Sequence, residues 1–167
     1  MTLEGGKEPR ELDMQGERIA GRYRIDAVLG KGGMGTVYRA RDESGAGDDV
    51  ALKLLSQTKT DSRVGALFER EYHTLVGLKH PCIIEVRDYG VSSHGPYYTM
   101  ELLDGADLRS LGTLPYKEAC KHLRDVASAL ALLHSRRLLH RDITPRNVRL
   151  TEQGRAKLID FGTLAAF

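Results

Sequence analysis

Leu29-Gly30-Lys31-Gly32-Gly33-Met34-Gly35-Thr36-Val37-Tyr38-Arg39-Ala40 is the stretch on which the fold turns. Upstream of it, Tyr23, Ile25, Ala27 and Leu29 alternate with polar or small neighbours, the period of a strand. Downstream, Thr36 to Ala40 is β-branched and aromatic, so a second strand follows the glycines. Gly30, Gly32 and Gly35 have the G-x-G-x-x-G spacing, which lets a backbone approach phosphate groups without side-chain obstruction. A dinucleotide-binding fingerprint needs a helix directly after the glycines, and a strand stands there instead. A Walker A loop needs Lys and then Ser or Thr after its last glycine, which Thr36-Val37 does not supply. Two readings remain: a plain Gly-rich hairpin turn, or a hairpin folded over a nucleotide.

Outward from this hairpin, Asp42 to Asp49 is a polar turn and Val50 to Leu55 a third strand. From Ser62 to Leu78 the period becomes helical, with Val64, Leu67, Phe68, Leu75 and Leu78 expected on one face. Strands are expected at Ile83–Tyr89 and Tyr97–Leu102. A second helix is expected over Pro115–His134, with Ala119, Leu123, Val126, Leu130 and Leu133 as its apolar stripe and Pro115 in its first turn. Short apolar pieces at Arg137–Leu139, Val148–Leu150 and Ala156–Ile159 read as hairpins, and residues 1–21 as a flexible lead-in.

The 167 residues include 25 Lys+Arg, 23 Asp+Glu and 41% hydrophobic residues, enough apolar content for a core of about one domain. A net charge of +2 gives no case for nucleic acid as the main partner. No apolar run approaches the roughly 18 residues of a membrane span, and the N-terminus has no signal-peptide core. Cys82 and Cys120 match no metal spacing and read as buried small apolar residues in a reduced setting, so a cytoplasmic location is expected.

Two charged residues break the apolar pattern. Lys53 stands inside Val50-Ala51-Leu52-Lys53-Leu54-Leu55, and Glu71 falls midway between Leu67 and Leu75 on the apolar helix face. A buried charge is expensive unless paired, so each is most economically explained by the other. Further on, His140-Arg141-Asp142-Ile143-Thr144-Pro145-Arg146-Asn147 precedes Asp160-Phe161-Gly162. Asp142 suits a base toward a hydroxyl, and Asn147 and Asp160 are hard oxygen donors of the kind Mg²⁺ takes.

The ordered set of glycine loop, Lys53, Glu71, His-Arg-Asp with Asn five residues on, and Asp-Phe-Gly resembles the protein kinase family. It looks most like the eukaryotic-like Ser/Thr kinases of bacteria, from about residue 22 to the end. The resemblance implies an α+β fold: a complete N-terminal lobe and hinge over 22–103, with a five-stranded antiparallel sheet and one helix, then a partial helical lobe over 104–167. It implies ATP-dependent phosphoryl transfer to a protein Ser/Thr hydroxyl, with Mg²⁺ or Mn²⁺. Gly30, Gly32 and Gly35 would cover the phosphates, and Lys53, held by Glu71, would contact them. Leu29, Val37 and Ala51 would pack on adenine, and Met100 would be the gatekeeper. Backbone groups of Glu101 and Leu103 would meet the adenine edge, and Asp107 the ribose. Asp142 would be the catalytic base, Asn147 and Asp160 the metal ligands. Leu75, Val86, Phe161 and His140 match the apolar column that joins the family's two lobes.

Three departures stand out. Thr144 occupies the position where Ser/Thr kinases usually carry a phosphate-contacting Lys, and Arg146, placed as in many tyrosine kinases, is the candidate replacement cation. Arg149 stands where an aliphatic floor to adenine is usual, so its methylene stem is expected to serve while the guanidinium reaches out. The chain ends at Phe167, before the activation segment and the helices that build most of the family's larger lobe. A truncated catalytic domain is therefore expected, with an inactive nucleotide-binding fragment as the alternative and self-association through the uncovered helical face as a consequence.

Overall fold

β4 (Asp49–Leu55) is the strand around which the molecule is laid out, because its alternate residues feed two different interiors. The structure is a computed structural model that describes residues 14–45, 47–55 and 62–166. Six strands form one antiparallel sheet in the spatial order β1 (Arg18–Ile19), β2 (Tyr23–Lys31), β3 (Gly35–Asp42), β4, β6 (Gly95–Glu101), β5 (Val86–Ser92). Val50, Leu52 and Leu54 enter a cluster on one face with Ile19, Tyr23, Ile25, Tyr38 and Tyr97. Ala51 and Leu55 enter the other, larger cluster with Phe68, Leu75, Tyr98 and Met100. The period of two sorts one sequence run into two cores.

The sheet has six strands where five were expected. Arg18↔Arg24 and Ile19↔Tyr23 pair, so the chain before residue 22 is part of the fold from Met14 onward, with Met14 and Ile19 buried. A two-residue strand is below the length at which periodicity can be read from sequence. Residues 1–13 of the expected lead-in lie outside the described residues. In β2 the alternation holds for Tyr23 and Ile25 and then fails, because register shifts between Ile25 and Ala27 and between Val28 and Gly30 turn the strand. Val28 and Leu29 are left exposed.

β5 begins at Val86, not Ile83. Cys82, Ile83 and Ile84 are drawn away by the hairpin β8 (Val148–Leu150)–β9 (Ala156–Leu158): the Ile84 N–H donates to the Leu158 carbonyl at 2.9 Å and the Leu158 N–H to the Cys82 carbonyl at 2.9 Å. That exchange staples the sheet to the second half of the chain.

α1 (Ser62–Val76) packs Phe68, Glu71 and Leu75 inward, spaced three and four apart. Leu67, expected on this face, lies one residue off it and is exposed. α2 (Tyr116–Ser135) buries His122, Asp125, Val126, Ala129 and Leu133. The expected stripe is thus displaced by about one residue, and Leu123 is 63% exposed. The displacement follows from Asp125, whose Oδ2 accepts the Ala156 N–H at 3.1 Å and so pins this face of the helix to β9. Tyr116, Cys120, Leu123, Ala127 and Ala131 form a second, exposed side of α2, so Cys120 is not buried as expected, whereas Cys82 is. After α2 come β7 (Leu138–Leu139), a 3-10 turn at Pro145–Asn147, the β8–β9 hairpin, and β10 (Ala165–Ala166), which returns to pair with β7.

Between the sheet and α2 the chain runs along β8, with the Leu108 N–H donating to Val148 and the Leu150 N–H to Ala106, both at 3.0 Å. A Cβ at Gly105 would lie 2.1 Å from the Leu150 carbonyl oxygen, so no side chain fits there. Gly105→Ala should therefore lower unfolding free energy by about 1–3 kcal/mol in urea titration, the usual cost of overpacking. Gly45→Ala, where a Cβ meets nothing within 4 Å, is the control and should stay close to the parent.

Candidate active site

The side chain of Lys53 is on the inner face of β4, in one cross-sheet row with Val37 and Tyr98. Glu71 reaches the same point from α1. The Lys53 Nζ lies 2.9 and 3.0 Å from the two Glu71 carboxylate oxygens, and both residues are buried. The pairing inferred from two misplaced charges is thus met geometrically. A third member was not read from the sequence: the Tyr98 hydroxyl donates to Glu71 Oε1 at 3.0 Å. Burial, reinforced by the adjacent carboxylate, pushes the Tyr98 phenol well above its ordinary pKa and keeps it a donor. The Lys53 ammonium also lies 5.7 Å from the Tyr98 ring centroid and 6.0 Å from that of Phe68, within the range of cation–π attraction.

In front of this pair opens a cleft of about 1290 Å³. Its roof is the β2–β3 turn, with Leu29, Gly30, Gly32, Gly35 and Val37. The three motif glycines differ physically. A Cβ at Gly35 would lie 2.1 Å from the Leu54 carbonyl, so packing within the protein already demands glycine there. A Cβ at Gly30 meets nothing within 4 Å, and one at Gly32 only the Gly35 carbonyl at 3.7 Å. Their bareness leaves the space beneath the turn open to a ligand. Met34, at the tip, reaches down to the Asp-Phe-Gly segment, 2.5 Å from where a Cβ on Gly162 would be.

The back wall holds Ala51, Met100, Glu101 and Leu103. Ala51↔Met100 and Met100↔Val86 form the next cross-sheet row. The Glu101 N–H donates to the Glu85 carbonyl at 2.9 Å, so Glu101 has no N–H to offer a ligand. Its carboxylate accepts the Glu85 N–H at 2.8 Å and pairs with the Lys157 ammonium. Asp107 lines the lower edge, its Oδ1 accepting the Ser110 N–H at 2.9 Å. Arg149 also lines the cleft, and its Nε donates to the Gly105 carbonyl at 2.8 Å, so the guanidinium that was expected to reach out is tied to backbone instead.

The floor comes from residues 140–147 and 159–163. Asp142 is held by Asn147, whose Nδ2 donates to the Asp142 carboxylate at 2.8 Å and its carbonyl at 3.0 Å. The Ile159 N–H donates to the Asn147 carbonyl at 3.1 Å, placing Asn147 beside Asp160. Asp160 Oδ1 accepts the Gly162 N–H at 3.1 Å. The ring of His140 meets that of Phe161 at 4.9 Å, and both are buried with Leu75, while Val86 packs on the same core. Burial lowers the His140 pKa, and the resulting neutral imidazole accepts the Asp142 N–H at Nδ1, at 3.3 Å. Thr144 and Arg146 line the cleft. Every residue singled out for the site except Glu71 faces this one cleft, and Glu71 stands behind Lys53.

No group of three or more His, Cys, Asp or Glu side chains suited to a metal occurs among the described residues. Asn147, with its amide nitrogen already committed, keeps Oδ1 as an acceptor, and Asp160 keeps Oδ2. Two such oxygens suit a magnesium ion that draws its other ligands from phosphate and water.

Breaking the Lys53–Glu71 pair leaves one charge buried alone, so Lys53→Met should cost about 3–5 kcal/mol in unfolding free energy. Lys53→Met with Glu71→Leu should recover most of that loss. Denaturant midpoints of the two single variants and the double variant check the coupling.

A protein kinase domain model matches residues 23–167. The Ser/Thr protein kinase PrkC of Bacillus subtilis is 36% identical over 156 residues, 90% of this chain and 24% of that protein. The Ser/Thr protein kinase PknA of Mycobacterium tuberculosis is 36% identical over 161 residues, 90% of this chain and 37% of that protein. The DNA damage-responsive Ser/Thr protein kinase RqkA of Deinococcus radiodurans is 38% identical over 157 residues, 90% of this chain and 23% of that protein. The chain therefore spans about a quarter to just over a third of the length of these relatives. With the matched region running from the first long strand to the end of the chain, this protein belongs to the protein kinase domain family.

Proposed function

We propose that this chain is the nucleotide-binding and catalytic-loop portion of a Ser/Thr protein kinase that transfers the γ-phosphoryl group of ATP to a protein hydroxyl. The observation that carries the proposal is convergence: glycine turn, Lys53, Asp142, Asn147 and Asp160 all face one cleft. In this reading residues 22–103 are the N-terminal lobe and hinge, 104–167 the start of the second lobe, and the protein works in the cytoplasm.

Leu29, Val37, Ala51 and Met100 would sandwich adenine, the backbone of Glu101 and Leu103 would meet its edge, and Asp107 the ribose. Gly30, Gly32 and Gly35 cover the phosphates, and Lys53 donates to them while Glu71 and Tyr98 fix its position. Asp142, aimed by Asn147, accepts the proton of the attacking hydroxyl. Arg146 supplies the cation that Thr144 cannot. Asn147 and Asp160 would hold Mg²⁺ or Mn²⁺, which when bound neutralises charge on the phosphate oxygens.

The exposed side of α2 supports a second reading for these 167 residues taken alone: a nucleotide-binding fragment that self-associates without transferring phosphate. Tyr116 and Leu123 are 75% and 63% exposed on a helix otherwise packed against β9 and β7. Contiguous apolar surface of this kind drives association.

Asp142→Asn should reduce phosphotransfer by about 10²–10⁴-fold and change ATP affinity by less than about twofold, because the base acts on the acceptor hydroxyl. Radiolabel transfer and fluorescent-nucleotide titration separate the two, and near-normal turnover by the variant would exclude Asp142 as the base. Leu123→Lys should shift the sedimentation profile of the isolated chain toward monomer. An unchanged profile would show that this side of α2 is not the contact.

A further inference from the structure

A second cavity, of about 730 Å³, lies between α2 and the β8–β9 turn, and Glu101 lines both it and the nucleotide-sized cleft. Lys121, Arg124, Asp125 and Ser128 reach it from α2, where spacings of three, four and seven residues put them on one side of the helix. Arg155 and Lys157 reach it from the turn and β9. Four permanent cations thus share the wall with two carboxylates.

Each carboxylate meets one of these cations, which leaves the other two unmatched. Glu101 is occupied by Lys157 and the Glu85 N–H. Asp125 Oδ2 takes the buried Ala156 N–H, and among the described residues Oδ1 meets only Arg124, its chain neighbour, at 3.4 Å. Among the described residues, Lys121 and Arg155 have no ion pair and no side-chain hydrogen bond. Both line the same cavity, and the Lys121 ammonium lies 3.7 Å from where a Cβ on Gly154, the neighbour of Arg155, would stand. Two like charges left on one concavity without counter-charges of their own repel one another, and an anion supplied from outside relieves that repulsion.

We infer that this cavity is a binding site for a phosphate group. An arginine fork and a compact lysine ammonium lining one cavity suit a tetrahedral dianion, which can accept several charge-assisted hydrogen bonds at once. The cavity is far larger than one phosphate, so it also has room for the group that carries it. The site does not depend on the reading of the cleft: none of its cations touches Lys53, Asp142, Asn147 or Asp160.

The test is calorimetric titration of the full chain, its cleft filled with an adenosine nucleotide, against inorganic phosphate, a short phosphoserine peptide and the same peptide unphosphorylated. Saturable binding of phosphate and of the phosphopeptide is expected, with none for the unphosphorylated peptide. Lys121→Gln with Arg155→Gln, both exposed, should weaken binding at least about tenfold, the effect of losing one charge-assisted hydrogen bond, while nucleotide affinity and melting stay unchanged. Tighter binding of the phosphopeptide than of inorganic phosphate would identify a phosphorylated side chain as the ligand, and equal binding a free phosphate. Absence of saturable phosphate binding, or equal affinity in the double variant, overturns the assignment.

Discussion

A lysine ammonium and a glutamate carboxylate lie buried between the sheet and α1, and neither would be tolerable without the other. Their contact fixes more than its own geometry. Lys53 can meet Glu71 only if β4 presents its odd-numbered residues to α1, and that choice sends Val50, Leu52 and Leu54 to the opposite core. It also sets the rotation of α1, since the face carrying Glu71 carries Phe68 and Leu75. Tyr98, across the sheet from Lys53, completes the arrangement by donating to the same carboxylate. One ion pair thus sets strand register, helix rotation and the depth of the cleft together.

Hydrogen bonds from backbone N–H groups position the second half of the chain alongside its buried side chains. The Cys82–Ile84 segment exchanges hydrogen bonds with Leu158, Asp125 caps the Ala156 N–H, and the Ile159 N–H reaches the Asn147 carbonyl. Asn147 and Asp160, which face the cleft, are therefore set by the hairpin that ties the sheet to α2. Movement of that hairpin would carry both donors with it.

What the sequence disclosed and what it hid divide along physical lines. Lys53 and Glu71 were legible because a charge in an apolar run has few explanations, and Asp142, Asn147 and Asp160 because their order and spacing carry chemistry. Tyr98 was hidden because an aromatic residue in a strand reads as packing, and nothing in the sequence shows its hydroxyl meeting Glu71. Asp125 was hidden because a helix-border acid usually faces water, and its bond to Ala156 is what displaced the expected α2 stripe and exposed Leu123. The strand at Arg18–Ile19 is too short to show a period, and Ile83 and Ile84 read as strand because their partner, Leu158, is distant in sequence.

The two register shifts in β2 divide that strand into parts with different duties. Tyr23 and Ile25, before the shifts, are locked in the outer core, while Val28 and Leu29, beyond the first shift and at the second, are exposed, Leu29 at the edge of the cleft. A bulge interrupts the ladder and concentrates bending at one place. The roof is in effect a cantilever: it can rise to admit a ligand or settle onto one while the sheet that supports it keeps its shape, and the compliance is confined to a few residues instead of being borrowed from the core.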